Sequence, residues 1–204
     1  MPDAEKGGQA PFILYLHGFN SSPASVKARQ LQAFMQAHGL GAALACPALP
    51  VDPGAALECI DQVMREQGPR RYCFVGSSLG GFYATCMAER HPARAVLINP
   101  SITPHVTLRA CLGPQTNLYT GERYVLTAEH VAQWERMWLP DIHSERYFLL
   151  VETGDAQLDY RQAVARYAGA LQRVIPGGDH SLQSFPEHIP ALLEFAGLGL
   201  QGGS

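Results

Sequence analysis

The chain has 204 residues, 47% hydrophobic and 16% charged, enough apolar side chains for one core and too many for a disordered chain. A net charge of -3 without a long basic run argues against nucleic acid and anionic membrane as partners, and no stretch approaches the roughly 20 apolar residues of a membrane span. Cys46, Cys59, Cys73, Cys86 and Cys111 are odd in number, widely spaced and without a C-x-x-C, which fits buried thiols in a reducing cytosol better than a disulfide framework.

Residues 1–10 are polar and small, lack a signal-peptide layout and read as a flexible tail. Phe12 to Leu16 is a continuous apolar run, the pattern of a buried parallel strand. Ala24 to His38 carries Ala28, Leu31, Phe34 and Met35 at helical spacing, with Gly39 as its stop. Ala42 to Cys46 is a weaker strand, because alanine is a poor strand former. A helix over Gly54 to Glu66, a strand over Arg71 to Val75, a largely apolar helix over Leu79 to Arg90 and a strand over Ala95 to Ile98 follow. The alternation then breaks. Residues 101–145 hold turn signals (Gly113-Pro114, Thr120-Gly121) and one helix, capped by Thr127, with Val131, Trp134 and Trp138 on one face. It resumes with a strand over Arg146 to Val151, a helix over Leu158 to Ala168, a strand over Leu171 to Ile175 and a last helix from Pro186 to Phe195. Residues 199–204 read as a second loose tail. This order predicts an α/β fold: one domain over 11–198, about six mainly parallel strands, helices on both faces, and an insertion at 101–145 after the fourth strand.

Chemistry enters at Gly76-Ser77-Ser78-Leu79-Gly80, between the strand and the helix. A G-x-S-x-G at such a junction is a nucleophile elbow: the chain turns sharply, and the serine oxygen is exposed at a helix N-terminus. Gly76 and Gly80 fit because helix and strand must pack closely there. A serine hydroxyl needs a base and an acid elsewhere, and in this architecture they follow in the order acid, then histidine.

Of the histidines after the elbow, His91 and His130 lie in helical patterns, His105 and His143 in the insertion, and His188 at the start of the last helix. His180, in Gly177-Gly178-Asp179-His180-Ser181, follows the last strand and is the predicted base. Glu152, Asp155 and Asp159 are the possible acids. Asp155, in the turn just past its strand, is preferred, with Asp159 second. The oxyanion hole needs two backbone N–H groups. Leu79 supplies one; Phe19 in His17-Gly18-Phe19 supplies the other, with Gly18 allowing close approach. Asn20 and Ser22 are placed as substrate contacts or as helix caps, and His17 as a buttress of the loop. Ser77 reads as a packing residue and Asp179 as a turn residue. Tyr119, Tyr124, Trp134 and Trp138 fit two readings, a lid over an acyl pocket or the core of the insertion; Phe19 and Phe82 line the pocket or pack.

On Tyr15 to Pro23, Val75 to Ala84, Asn99-Pro100, Gly154-Asp155 with Leu158-Asp159-Tyr160, and Gly178-Asp179-His180, the chain resembles the α/β-hydrolases, and among them the small bacterial esterases of the YqiA type. The resemblance implies a serine esterase of short acyl esters, with acyl-CoA thioesters as further substrates. The same triad would serve a peptidase or other acyl-transfer enzyme, and an inactive hydrolase-fold binding protein is the outside reading, against which all three triad members are present. Unlike larger α/β-hydrolases, the oxyanion strand comes first here. No metal or dinucleotide pattern appears, so no cofactor is expected. The expected partner is a small ester in the cytoplasm.

Overall fold

Buried strands alternating with amphipathic helices set the layout. The computed structural model describes residues 9–199. Of the two expected tails, all but residues 9, 10 and 199 lie outside that range. Six strands, β1 (Pro11–Leu16), β2 (Leu44–Ala45), β3 (Arg71–Ser77), β4 (Arg94–Ile98), β7 (Tyr147–Glu152) and β8 (Leu171–Ile175), form one sheet in the order β2-β1-β3-β4-β7-β8. Every pairing in it is parallel.

Side-chain alternation along these strands divides the interior into two cores. On one face Phe12, Leu14 and Leu16 of β1, Phe74 of β3 and Leu97 of β4 pack with α2 (Pro53–Gln67), α3 (Leu79–Arg90), α5 (Ala128–Met137) and α6 (Tyr160–Arg166). On the other, Ile13, Tyr15, Val75, Val96 and Ile98 pack with α1 (Val26–Ala37) and α7 (Phe185–Ala196). Leu14, Phe74, Val75 and Leu97 are fully buried, as strands covered on both faces require.

The insertion is richer than its turn signals imply. It contains a short helix, α4 (Pro104–Thr107), and an antiparallel hairpin of β5 (Gly113–Thr116) and β6 (Arg123–Leu126), which forms its own two-stranded sheet. α5 is held by a capping box: Thr127 Oγ1 accepts the His130 N–H at 3.3 Å, and His130 Nδ1 accepts the Thr127 N–H at 3.2 Å. Trp138 does not share the helical face of Val131 and Trp134. It follows the helix in extended backbone, two residues before Pro140, which cannot continue a helix. Its ring lies under the Arg166 guanidinium, 5.2 Å away.

Candidate active site

The sharp turn at the end of β3 is built by close approach. A Cβ on Gly76 would collide with the Gly80 carbonyl oxygen, and one on Gly80 with the Leu16 carbonyl oxygen. Only glycine lets α3 lie so near β1 and β3. Ser78 is left between them at φ 55°, ψ -122°, a region costing on the order of 1–3 kcal/mol for a residue with a Cβ. Its hydroxyl therefore projects from the turn at the N-terminus of α3.

Three chain segments meet at that hydroxyl. His180 Nε2 lies 3.0 Å from Ser78 Oγ. His180 Nδ1 lies 2.7 Å from Asp155 Oδ2. The Asp155 side chain is 2% exposed, and its other oxygen accepts the N–H groups of Gln157 at 2.8 Å and Leu158 at 2.9 Å. Those two amides fix the carboxylate as an acceptor, so the shared proton belongs on Nδ1 and the Nε2 lone pair faces Oγ. Asp159 is not in this group. It caps α6, accepting the Arg161 N–H at 3.0 Å and pairing with the Arg161 guanidinium at 2.8 Å.

The loop after β1 closes the other side. A Cβ on Gly18 would sit 3.1 Å from Ser78 Cβ and 3.2 Å from the Ser77 carbonyl oxygen, so the backbone passes directly against the serine. The N–H groups of Phe19 and Leu79 have no loop, turn or side-chain partner among the described residues. Leu79 opens α3, where helix geometry leaves the amide free. His17 is a buttress. Its Nε2 accepts the Leu49 N–H at 3.0 Å, which places its proton on Nδ1, 3.1 Å from the Gly18 carbonyl oxygen. Burial pushes its pKa down, so the ring stays neutral.

Ser78 and His180 line a cavity of about 750 Å³ whose rim includes Phe19, Lys27, Leu108, Cys111, Leu118 and Tyr119. Lys27 donates from Nζ to the Ser181 carbonyl oxygen at 2.7 Å; burial pulls its pKa down to about 8, against the raising effect of Asp179, Glu152 and Asp155. Asn20 also lines the cavity, but its amide is engaged. Nδ2 donates to Gln115 Oε1 at 3.1 Å, and Oδ1 accepts the Tyr124 hydroxyl at 2.5 Å. Ser22 does not line it: the residue is buried, and its hydroxyl accepts the Ala24 N–H at 3.1 Å, so it serves the entry to α1 rather than a ligand. Phe19 faces the cavity, whereas Phe82 packs in the core. Of the four aromatics in the insertion, Tyr119 lines the cavity and is 46% exposed, and Trp134 is 1% exposed and belongs to the main core. Asp179 is a turn residue, its carboxylate accepting the Ser181 N–H at 2.7 Å. Among the described residues no three His, Cys, Asp or Glu side chains gather as a metal site.

Two further residues at this end of the sheet take a place that the sequence patterns do not give them, Glu152 being read there only as a possible acid and Asn99 only as part of the resemblance. Glu152 and Asn99 are each 2% exposed, and both bond to the loop that carries His180. A Glu closing an apolar strand carries no sequence signal of burial, and the loop it meets begins more than 20 residues later.

An elbow serine between β3 and α3, with its neighbours at the carboxyl ends of a parallel sheet, defines an α/β-hydrolase fold. The family model of the uncharacterised protein family UPF0227 matches residues 12–197, and the chain belongs to that family, the YqiA-type branch of the α/β-hydrolases. Among solved structures, the alpha/beta hydrolase domain-containing protein 10 from mouse is similar over 92% of this chain and 89% of its own, with TM-score 0.68 and 18% identity. Est1E from Butyrivibrio proteoclasticus, with ferulic acid bound, is similar over 95% and 91%, with TM-score 0.66 and 16% identity. A monoacylglycerol lipase from Paleococcus ferrophilus is similar over 93% and 96%, with TM-score 0.63 and 16% identity. At these identities the likeness is one of fold.

Proposed function

We propose that the protein is a serine hydrolase that cleaves carboxylic esters of short acyl chains through an acyl-enzyme on Ser78. The observation that carries this reading is the His180 ring, 3.0 Å from Ser78 Oγ through one nitrogen and 2.7 Å from Asp155 through the other. As Ser78 Oγ attacks the carbonyl carbon, His180 Nε2 takes its proton, and Asp155 holds the ring in the required tautomer and stabilises the imidazolium. The carbonyl oxygen gains the negative charge beside the Phe19 and Leu79 N–H groups, aided by the positive end of α3. Collapse breaks the bond to the leaving oxygen, which receives the proton from Nε2. Water then loses a proton to Nε2 as it attacks the acyl carbon, and Ser78 Oγ leaves with that proton.

Solved structures of similar fold that are called an esterase domain, lipolytic enzymes and a lipase support ester cleavage as the reaction class. Thioesters are the second reading, because the same acyl-enzyme on Ser78 would serve them and the cavity of about 750 Å³ has room for a leaving group beyond a short acyl chain. We take residues 11–198 as one domain and 101–145 as a cap, since Leu108, Cys111, Leu118 and Tyr119 stand over the cavity. Five free cysteines support a cytoplasmic setting. No helix among the described residues is long and apolar enough to cross a membrane.

The test is labelling by a fluorophosphonate probe with turnover on an activated ester. The wild-type protein labels and turns over. Ser78→Ala loses the label and about a millionfold in kcat. A Ser78→Ala protein that still labels places the nucleophile elsewhere.

A further inference from the structure

A buried carboxylate is stable only where hydrogen bonds or a countercharge replace water. Glu152, the last residue of β7, has no ion-pair partner within 4.0 Å among the described residues. Its partners are donors from one loop. Oε2 accepts the Asp179 N–H at 2.8 Å; Oε1 accepts the Ser184 hydroxyl at 2.7 Å and the Ser184 N–H at 3.3 Å. These donors bracket His180. Burial pushes the carboxyl pKa up, but the hydrogen bonds outweigh it and hold the group below the usual carboxylate range. The loop backbone comes down directly on the carboxylate. Gly178 has φ +68°, and a Cβ there would collide with the Glu152 side chain.

Asn99, just past β4, holds the same loop from the other side. Its Nδ2 donates to the carbonyl oxygens of Asp179 at 3.1 Å and His180 at 3.2 Å, while Oδ1 accepts the Glu152 N–H at 3.0 Å. Its backbone sits at φ 39°, a left-handed conformation that asparagine tolerates better than most residues. The amide thus links the two strand ends to the histidine loop, with each end of the side chain engaged.

The topology explains why such a tether is needed. His180 follows β8, at the edge of the sheet, whereas Ser78 directly follows β3. The imidazole must return past β7 and β4, three strand spacings or roughly 14 Å. Residues 176–184 carry it, with Gly177 and Gly178 both at positive φ. An untethered loop of that composition would sample many positions.

We propose that Glu152 and Asn99 are positioning residues of this site, a buried acceptor and a buried donor that clamp the His180 loop and keep Nε2 within bonding distance of Ser78. This rests on the reading that Ser78 and His180 carry the reaction. Neither residue touches the reacting atoms, so their effect falls on kcat and not on substrate affinity. Glu152→Gln keeps the shape but turns an amide donor toward the loop's own donors. Asn99→Asp keeps the shape but turns an acceptor toward two carbonyl oxygens.

The experiment has two arms. In the wild-type protein, amide hydrogen exchange is followed at Asp179 and Ser184. The clamp requires both to be protected despite lying in a loop, and exchange at the rate of open-loop amides overturns it without reference to activity. In Glu152→Gln and Asn99→Asp, the expected result is faster exchange at those amides, a kcat on an activated ester lowered about 100-fold, and a KM close to that of the wild-type protein. Folded variants with wild-type exchange and wild-type kcat overturn the proposal. A wild-type protein that neither labels nor turns over sinks the hydrolase reading instead, and the exchange rates at Asp179 and Ser184 then decide the clamp by themselves.

Discussion

Asn99, bonded to the loop that carries His180, and Leu118, lining the cavity beside Ser78, are built in contrasting ways. Asn99 is 2% exposed and engaged at both ends of its amide; Leu118, on the cavity rim, is 83% exposed. The contrast extends to their surroundings. The sheet side is made of glycine contacts, strand ends and buried polar groups with partners. The insertion presents Val106, Leu112, Leu118, Tyr119 and Val125 to solvent, around a hairpin that pairs with no strand of the main sheet. Reacting atoms must be held to fractions of an ångström, which demands the first kind of construction. The insertion combines the two, since Leu126, Val131 and Trp134 anchor it in the main core while its cavity side stays open to solvent.

The largest test of this contrast lies on the sheet side. Asp155→Asn removes an acceptor whose surroundings it leaves intact, so kcat falls about 10⁴-fold while thermal stability stays near that of the wild-type protein. Steady-state hydrolysis and a thermal melt measure both, and a loss below tenfold points to another acid. The insertion is tested at its anchor. Trp134 is 1% exposed, and its Nε1–H donates to the Tyr83 hydroxyl of α3 at 2.9 Å. Trp134→Ala costs about 3–5 kcal/mol in urea unfolding; an effect below about 1 kcal/mol would mean that α5 shares little of the main core. The smallest effect is one of pH. Glu152 has a folded pKa below its ordinary value, so its contribution to stability is complete above the ordinary carboxyl range and lost as pH falls through the depressed value. Unfolding free energy on the acid side therefore falls less steeply in Glu152→Gln than in the wild-type protein, and equal slopes would separate Glu152 from the acid response.

The sheet is legible in the sequence because burial on both faces leaves continuous apolar runs such as Phe12 to Leu16, and because helices between them repeat at their own period. The strand over Ala42 to Cys46 shrinks to Leu44–Ala45, as its alanines foreshadow. The hairpin is not legible, because β5 is Gly-Pro-Gln-Thr, with no apolar alternation to read. That Ser78, Asp155 and His180 meet is foreseeable because the elbow motif and the positions of the loops after their strands constrain where they lie. Glu152 shows itself in the sequence only as a possible acid, and its bonds to Asp179 and Ser184 depend on a loop fold that no local pattern encodes. Ser22 misleads for the opposite reason: a serine beside an oxyanion loop reads equally well as ligand contact and as turn, and here the Ala24 N–H claims it.

The carbonyl oxygen of Ser78 accepts two amides, Gly81 at 2.9 Å and Ser101 at 3.0 Å. The second belongs to the first residue of the insertion. At its far end, Glu89 of α3 accepts the His143 N–H at 2.8 Å and the Tyr147 hydroxyl at 2.6 Å. Both roots of the insertion are thus bolted to the elbow and its helix, α3, which Ser78 caps. Residues 102–142 are therefore strung between two points fixed to α3, so that a shift within that stretch need not displace Ser78.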